Sequence, residues 1–352
     1  MVKYYTRACN FFYGEFSKKQ VKTKNSLPLC GSNEVSFNQL EIFARNGRYV
    51  SSKIIKISEL KNLPKKIKFK VNNDIKNITQ KKKIIKNQSH MIMGILNMTP
   101  DSFSDGGKFN SPKKALKKIQ DMINSGADII DVGGESTRPG SKIIPHKVEW
   151  KRVEGIIRNF KKKFPKILLS IDTRKSEIIK KSITHNADII NDVSCFNFDN
   201  RSFSQVKNKN IWKVLHHMQG TPQNMQNNPK YKNVLLDIYD FFEKKIKDFK
   251  IAKYKSKLIL DPGIGFGKNL KHNLIILNKI SLFHSLGYPI LIGTSRKRFI
   301  SQISGKYDTR ERIGGTLSSV IFSLSQGIKF FRVHNVAEVK QGILVFEALL
   351  NK

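Results

Sequence analysis

The 352-residue chain is short of cysteines, long apolar runs and acids, and each shortage narrows its class. Its three cysteines, Cys9, Cys30 and Cys195, are widely spaced, and no C-x-x-C pair occurs. That argues against a disulfide framework or a structural zinc and fits a reducing compartment. No stretch reaches the roughly 18 consecutive apolar residues of a membrane span. The N-terminus, MVKYYTRACNFFYGEF, lacks the apolar segment and cleavage site of a secretory signal. A cytoplasmic location is expected, with an organelle transit peptide as the alternative. Acids number 27 against 65 Lys and Arg, a net charge of +38. Such an excess suits polyanions, but Lys, Asn and Ile are enriched together, as AT-rich coding imposes. Neither a Walker A loop nor a Ser-His-Asp pattern is present.

The first 60 or so residues are mixed. A strand or helix is expected around Leu40–Phe43, a turn at Asn46-Gly47 and a strand from Tyr49 to Ile57. Residues 1–60 thus read as a small extension. Residues 61–90 are Lys-rich with a single acid, Asp74, and read as a solvated linker.

From Met91 onward, residues 91–352, the pattern is regular. Eight apolar runs recur: MIMGILN, ADIIDVGGE, ILLSIDT, ADIINDVS, WKVLHHM, KLILDPGIG, PILIGTS and FFRVHNV. They are β-rich and hardly alternate, as parallel strands buried on both faces do. Helical segments lie between them. One starts with Ser111 as cap and Pro112 as first residue, and lines up Leu116, Ile119, Met122 and Ile123 before stopping at Gly126. Eight β-then-α units predict an α/β fold, a (β/α)8 TIM barrel with a small mixed N-terminal extension. A doubly wound sheet is the alternative, but no G-x-G-x-x-G follows the first strand.

Barrel enzymes carry their sites at the C-terminal strand ends. Here those ends supply Asn97; Asp131, Glu135, Ser136, Thr137 and Arg138; Asp172 and Arg174; Asn191 and Asp192; His217 and Met218; Asp261; Ser295, Arg296 and Lys297; and Arg332 and His334. Asp172, Asn191 and Asp261 suit a flat heterocycle with several N–H groups, because a carboxylate accepts two parallel N–H bonds. Arg138, Arg296, Lys297, Arg332 and His334 suit phosphate and carboxylate. Asn97 suits a phosphate or Mg2+ site, since Mg2+ takes oxygen ligands and keeps several waters. Of His216 and His217, at most one faces inward.

The stretches GILNMTPDSFSDGG, GGESTRPGS, SIDTRK, IINDVS, HMQGTPQNMQ, LDPGIGFGK, GTSRKRF and RVHNV, in that order, resemble the successive motifs of the dihydropteroate synthases. The resemblance implies a transferase of folate biosynthesis. It would join 4-aminobenzoate to 6-hydroxymethyl-7,8-dihydropterin pyrophosphate, giving 7,8-dihydropteroate and pyrophosphate. It further implies that Asp172, Asn191, Asp261 and Lys297 hold the pterin. Asn97, Thr137, Arg332 and His334 would meet the pyrophosphate, with Mg2+ near Asn97. Phe266, Lys268 and Arg296 to Arg298 would border the aminobenzoate. Two loops, with Thr99, Asp101, Phe103 and Asp105 on one and Arg138 and Pro139 on the other, would close over the reacting carbon. A homodimer is implied, with small molecules as partners and no specific nucleic acid. Two positions depart from the family: Asn335, where Asp is usual, and Arg298, where Ser is frequent. A methyltetrahydrofolate methyltransferase, another pterin-binding barrel, would share Asp172, Asn191 and Asp261 but would not need TPDSFSDGG, STRPGS or SRK. A polyanion-binding protein would leave the polar strand ends without a role.

Overall fold

The computed structural model describes residues 2–82, 90–99, 112–250, 257–305 and 308–350. Eight parallel strands form the larger sheet: β5 (Met91–Asn97), β6 (Ile129–Gly133), β7 (Leu168–Asp172), β8 (Ile189–Asp192), β9 (Trp212–His216), β10 (Lys257–Asp261), β11 (Leu291–Ile292) and β12 (Phe330–Val333). Their order is β10-β9-β8-β7-β6-β5-β12-β11. The ring is closed by one parallel bridge, Leu260 to Ile290, where the Leu260 N–H donates to the Pro289 carbonyl at 2.9 Å. A (β/α)8 barrel results. Helices lie between the strands: α3 (Pro112–Asn124), α4 (His146–Lys163), α5 (Ser176–Thr184), α6 (Ser202–Val206), α7 (Val234–Lys250), α8 (Leu270–Asn278), α9 (Arg298–Ser304), α10 (Ile313–Leu324) and α11 (Val336–Leu350).

Strand periodicity assigns the two faces. Met91, Met93, Ile129, Ile189, Trp212, Val214, Ile259, Leu291 and Phe330 meet inside the barrel. Their neighbours Ile92, Ile130, Leu169, Ile190, Leu215, Leu258 and Phe331 belong to the separate layer under the helices. Because side chains alternate, the next inward positions toward the C-terminal ends are Asp131, Ser170, Asp172, Asn191, His216, Asp261 and Arg332. The interior is therefore apolar at one end and polar at the other.

The N-terminal unit is larger than the sequence suggests. Strands β1 (Lys3–Tyr13), β2 (Leu27–Leu29), β3 (Ser32–Asn46) and β4 (Tyr49–Lys56) form an antiparallel sheet, with helix α1 (Gly14–Lys22) following β1. The turn expected at Asn46-Gly47 links β3 to β4, with Gly47 at φ +60. A helix stands where residues 61–90 read as a solvated linker: α2 spans Lys65–Thr79. The Lys-rich composition hides an apolar stripe, Val71 and Ile78, which packs on Ala8, Leu40 and Ile55 of the sheet. The single acid of the segment, Asp74, is buried and accepts from Thr6 Oγ1 (2.7 Å) and Lys70 Nζ (2.5 Å). A charge count cannot detect so narrow a stripe.

The opposite face of this sheet docks on the barrel. Tyr5 is fully buried, edge-on to Tyr239 of α7 at 5.1 Å, and its hydroxyl bonds Asp240 at 3.0 Å. Arg45 pairs with Asp237 (2.7 Å), and Lys3 with Asp240 (2.6 Å) and Glu243 (2.7 Å). Glu41 lies between Arg7 (2.8 Å) and Lys279 (2.5 Å). Asn77 of α2 donates to the Ser285 carbonyl at 2.8 Å, in the 3-10 turn Ile280–Leu286 that leads toward β11. The unit therefore braces the side from which β11 enters, away from the polar strand ends. Tyr5→Ala should lower unfolding stability by about 3–5 kcal/mol, the usual cost of emptying a buried aromatic site, as read from urea unfolding.

Candidate active site

A guanidinium occupies the centre of the polar end. Arg332 Nε donates to Asp131 Oδ2 at 2.6 Å, and Nη2 donates to Asp172 Oδ2 at 2.7 Å. Asp131 is fully buried; it also accepts from Ser170 Oγ (2.6 Å) and Asn191 Nδ2 (3.1 Å). Burial pushes Asp172 up, to about 7, while Arg332 beside it holds it down and the nearby Asp131 and Glu149 raise it. Arg332 is only partly exposed, yet Asp131 and Asp172 keep it charged.

Three further groups leave acceptor atoms facing the pocket. Asn191 Oδ1 is buried with no hydrogen-bond partner among the described residues. Asp261 uses Oδ1 to accept the Gly263 N–H (2.8 Å), and its Oδ2 lies 4.0 Å from His216 Nε2. Burial raises Asp261 to about 6. His216 sits 3.2 Å from the Val193 carbonyl through Nδ1. A carbonyl only accepts, so Nδ1 carries the proton and Nε2 is left as an acceptor. Burial, with Lys268, Lys297 and Arg332, holds His216 far below the usual imidazole range, so it stays neutral. A ligand presenting N–H donors suits these three atoms.

Donors stand beside these acceptors. Lys297 places its amine 4.1 Å from the centroid of Phe266, and burial lowers it to about 8. Phe266 packs edge-on against His216 at 4.6 Å. Its loop needs glycine at both ends: a Cβ on Gly263 would sit 1.9 Å from the His217 carbonyl, and one on Gly267 2.5 Å from that of Gln219. Ser295 Oγ accepts the His334 N–H (3.2 Å) and lies 3.1 Å from His334 Nδ1. The hydroxyl thus holds both the backbone and the ring of His334, whose imidazole burial keeps neutral.

The structure gathers Asp172, Asn191, Asp261, Lys297, Arg332 and His334 at the strand ends, with Phe266 on the loop after β10, and corrects two positions. The histidine of β9 that faces inward is His216, whereas His217 packs on Phe241 at 4.9 Å. The Lys268 amine is buried and taken up within the protein. It donates to the Phe266 carbonyl (2.9 Å) and to neutral His217 Nδ1 (3.0 Å), fastening its loop to β9. Asn335 accepts two N–H bonds from Arg296, at 3.0 and 2.7 Å. Arg298 is exposed at the start of α9.

Asn97 ends β5 half-buried, opposite Gly133. Thr99 is buried just beyond it. Asp101, Phe103 and Asp105, with Gly106, Gly107 and Ser111, lie outside the described residues. Thr137 is half-buried, and Arg138 and Pro139 are exposed, on the loop after β6. That loop is tied at its base. Glu135 accepts from the Ile144 N–H (3.0 Å), Lys175 (2.7 Å) and Arg174 (2.8 Å). Asp131 was named by sequence as a strand-end residue without a specific role, and Ser170 and His216 were not singled out; the signal available was their period-2 spacing from inward apolar residues.

Fold and pocket define a barrel enzyme for a flat, N–H-bearing heterocycle with an anionic group beside it. The family described as pterin binding enzymes matches residues 93–334. The dihydropteroate synthase of Escherichia coli K12 is 41% identical over 261 residues, covering 74% of this chain and 92% of that protein. That of Clostridium beijerinckii is 43% identical over 249 residues, covering 70% and 89%. A solved Yersinia pestis dihydropteroate synthase, in complex with a sulfonamide drug, superposes with a TM-score of 0.68 at 37% identity, covering 74% of this chain and 94% of that one. The chain belongs to the dihydropteroate synthases, transferases of folate biosynthesis that condense 6-hydroxymethyl-7,8-dihydropterin pyrophosphate with 4-aminobenzoate.

The raised Asp261 carboxyl has a consequence for the protein without substrate. A folded value of about 6 against 3.8 means that the native state binds the extra proton. The group's cost is thus absent below pH 4 and complete above pH 6. Asp261→Asn should stabilise the free protein at pH 8 by up to about 3 kcal/mol, with the gain gone at pH 4; parallel denaturant titrations at the two pH values check it.

Proposed function

We propose that the polar end of the barrel binds the pterin pyrophosphate through these residues. Asn191 Oδ1, Asp261 Oδ2 and His216 Nε2 take the N–H donors of the amino-pyrimidine edge, and Lys297 meets its carbonyl. The observation that carries this reading is the buried Asn191 oxygen without a donor, because such an atom costs stability unless a ligand satisfies it. Arg332, the His334 imidazole, Thr137 and Asn97 meet the pyrophosphate. Phe266 and Arg296 flank the aminobenzoate, whose carboxylate suits the arginine. That a solved Xanthomonas albilineans relative, 33% identical, holds 4-aminobenzoic acid supports an aminobenzoate site.

In the reaction the bond between the pterin methylene and the pyrophosphate oxygen breaks, and pyrophosphate leaves with the electron pair. The arylamine lone pair forms the new C–N bond, and the nitrogen then loses a proton. Arg332 and His334 oppose the charge that grows on the leaving group. The Asp172 carboxylate favours positive charge at the methylene. The arylamine is neutral at pH 7 and needs no base before attack. The loop after β6, which carries Thr137 and Arg138, excludes water from the carbon.

The site fits Mg2+ only in part: Asn97 offers a single amide oxygen, and among the described residues no group of three acids, His or Cys is placed to hold a metal. With substrate oxygens and waters completing its shell, the ion would neutralise pyrophosphate charge. A cytoplasmic location belongs to the same reading, supported by three free, buried cysteines; no helix among the described residues is long and apolar enough to cross a membrane.

A homodimer is part of the proposal. Helices α8, α9 and α10 border an apolar groove of about 930 Å³ lined by Leu274, Ile303 and Phe322. Ile303 and Phe322 are 59% and 46% exposed, and Leu344, Val345 and Leu349 of α11 are exposed too. A second copy would bury this area.

Pyrophosphate release should require the pterin pyrophosphate, Mg2+ and 4-aminobenzoate together. Arg332→Ala should reduce turnover at least about 100-fold; release that survives this change would exclude Arg332 from the leaving-group role. Light scattering should give twice the chain mass, reduced to the single-chain mass by Phe322→Glu with Ile303→Asp. A wild-type mass of one chain would reject the dimer.

A further inference from the structure

We infer that Asp131 is a positioning residue that sets which face of the Asn191 amide meets the substrate. The inference rests on the pterin-site reading above and extends it to a residue that reading leaves without a role. Asp131 is fully buried beneath the ligand-facing groups. Its Oδ2 accepts from Arg332 Nε at 2.6 Å and from Asn191 Nδ2 at 3.1 Å. Its Oδ1 accepts from Ser170 Oγ at 2.6 Å.

An amide flipped by 180° would fill the same volume, so shape alone does not choose the direction of Asn191. The partner does choose. A carboxylate paired with a guanidinium only accepts, so it admits the NH2 of Asn191 and repels its oxygen. The oxygen is then turned toward the pocket, where it is buried and has no partner among the described residues. Asp131 thereby fixes Asn191 as an acceptor and selects a ligand edge that donates N–H. The same Oδ2 holds Arg332 by its Nε, which leaves Nη2 to reach Asp172 at 2.7 Å. Ser170 in turn holds Asp131 in place. A single carboxylate thus aligns one residue for the heterocycle and another for the anion.

The test substitutes each side chain by its isostere. Asp131→Asn retains an amide oxygen for Arg332 and Asn191 while its NH2 donates to Ser170 Oγ. It should weaken binding of the pterin pyrophosphate by less than about 5-fold. Asn191→Asp keeps a pocket-facing acceptor but sets two carboxylates 3.1 Å apart; it should weaken binding by about 30-fold. The double variant Asp131→Asn with Asn191→Asp cannot restore the pair, because the oxygen that meets position 191 is also the one that accepts Arg332 Nε, and an NH2 turned to the new carboxylate would face that N–H; it should bind well below Asp131→Asn alone. The KM for 4-aminobenzoate should stay within about twofold throughout, since neither residue is assigned to it. Calorimetry with the pterin pyrophosphate gives the affinities, and thermal unfolding confirms that each isosteric variant is folded. Asn191→Asp binding as well as wild type, or a double variant that binds like Asp131→Asn alone, would overturn the inference. Wild-type protein that binds no pterin pyrophosphate would instead overturn the site reading.

Discussion

Arg332 and the two carboxylates it joins are the constraint on which the mouth of the barrel depends. Three ionisable groups drawn this far out of water cost free energy to desolvate, and close pairing offsets it. At 2.6 and 2.7 Å the pairing is close. Strands β12, β6 and β7 must keep their register for it to form, because a slip of one residue would turn Arg332, Asp131 or Asp172 to the helix side. Removing one partner leaves another charge buried and unopposed. The barrel is thus kept polar at one end by the same interaction that orients the Arg332 guanidinium there.

The N-terminal unit acts on the barrel at a distance from that chemistry. It packs on α7 and on the turn before β11, the shortest strand of the ring, at two residues. That strand joins β10 through a single bridge. A weakly paired strand gains support from what is packed around it, and the strand leads directly to Ser295, Arg296 and Lys297. The polar contacts of Glu41, Arg45 and Lys3 with the barrel carry the charges that composition alone would assign to solvent. Part of the high basic charge is structural in this sense.

The site was legible wherever a residue's chemistry and its place at a strand end sufficed. Asp172, Asn191, Asp261, Lys297 and Arg332 are of this kind: each follows an apolar run and precedes a loop. The helix α2 was not legible, because its buried stripe is Val71 and Ile78 among lysines, and the sheet beneath it is remote in sequence. His216 and His217 were indistinguishable by type; packing of the second on Phe241 decided between them. Asn335 was readable as a departure from its family but not as the partner of Arg296, a contact made across 39 residues.

By itself the sequence determined the number of β-α units, the polar character of their C-terminal ends and the family to which the motifs belong. These are local properties, written in residue type, period and spacing. Only the tertiary structure decided which of two adjacent polar residues faces inward, which way the Asn191 amide turns, and that Asp131 rather than solvent receives Arg332. Those outcomes depend on the register of neighbouring strands and on the closing of the ring, which bring residues 39 to 201 positions apart into hydrogen-bond contact. No local pattern specifies such a contact; it exists only once the strands are paired.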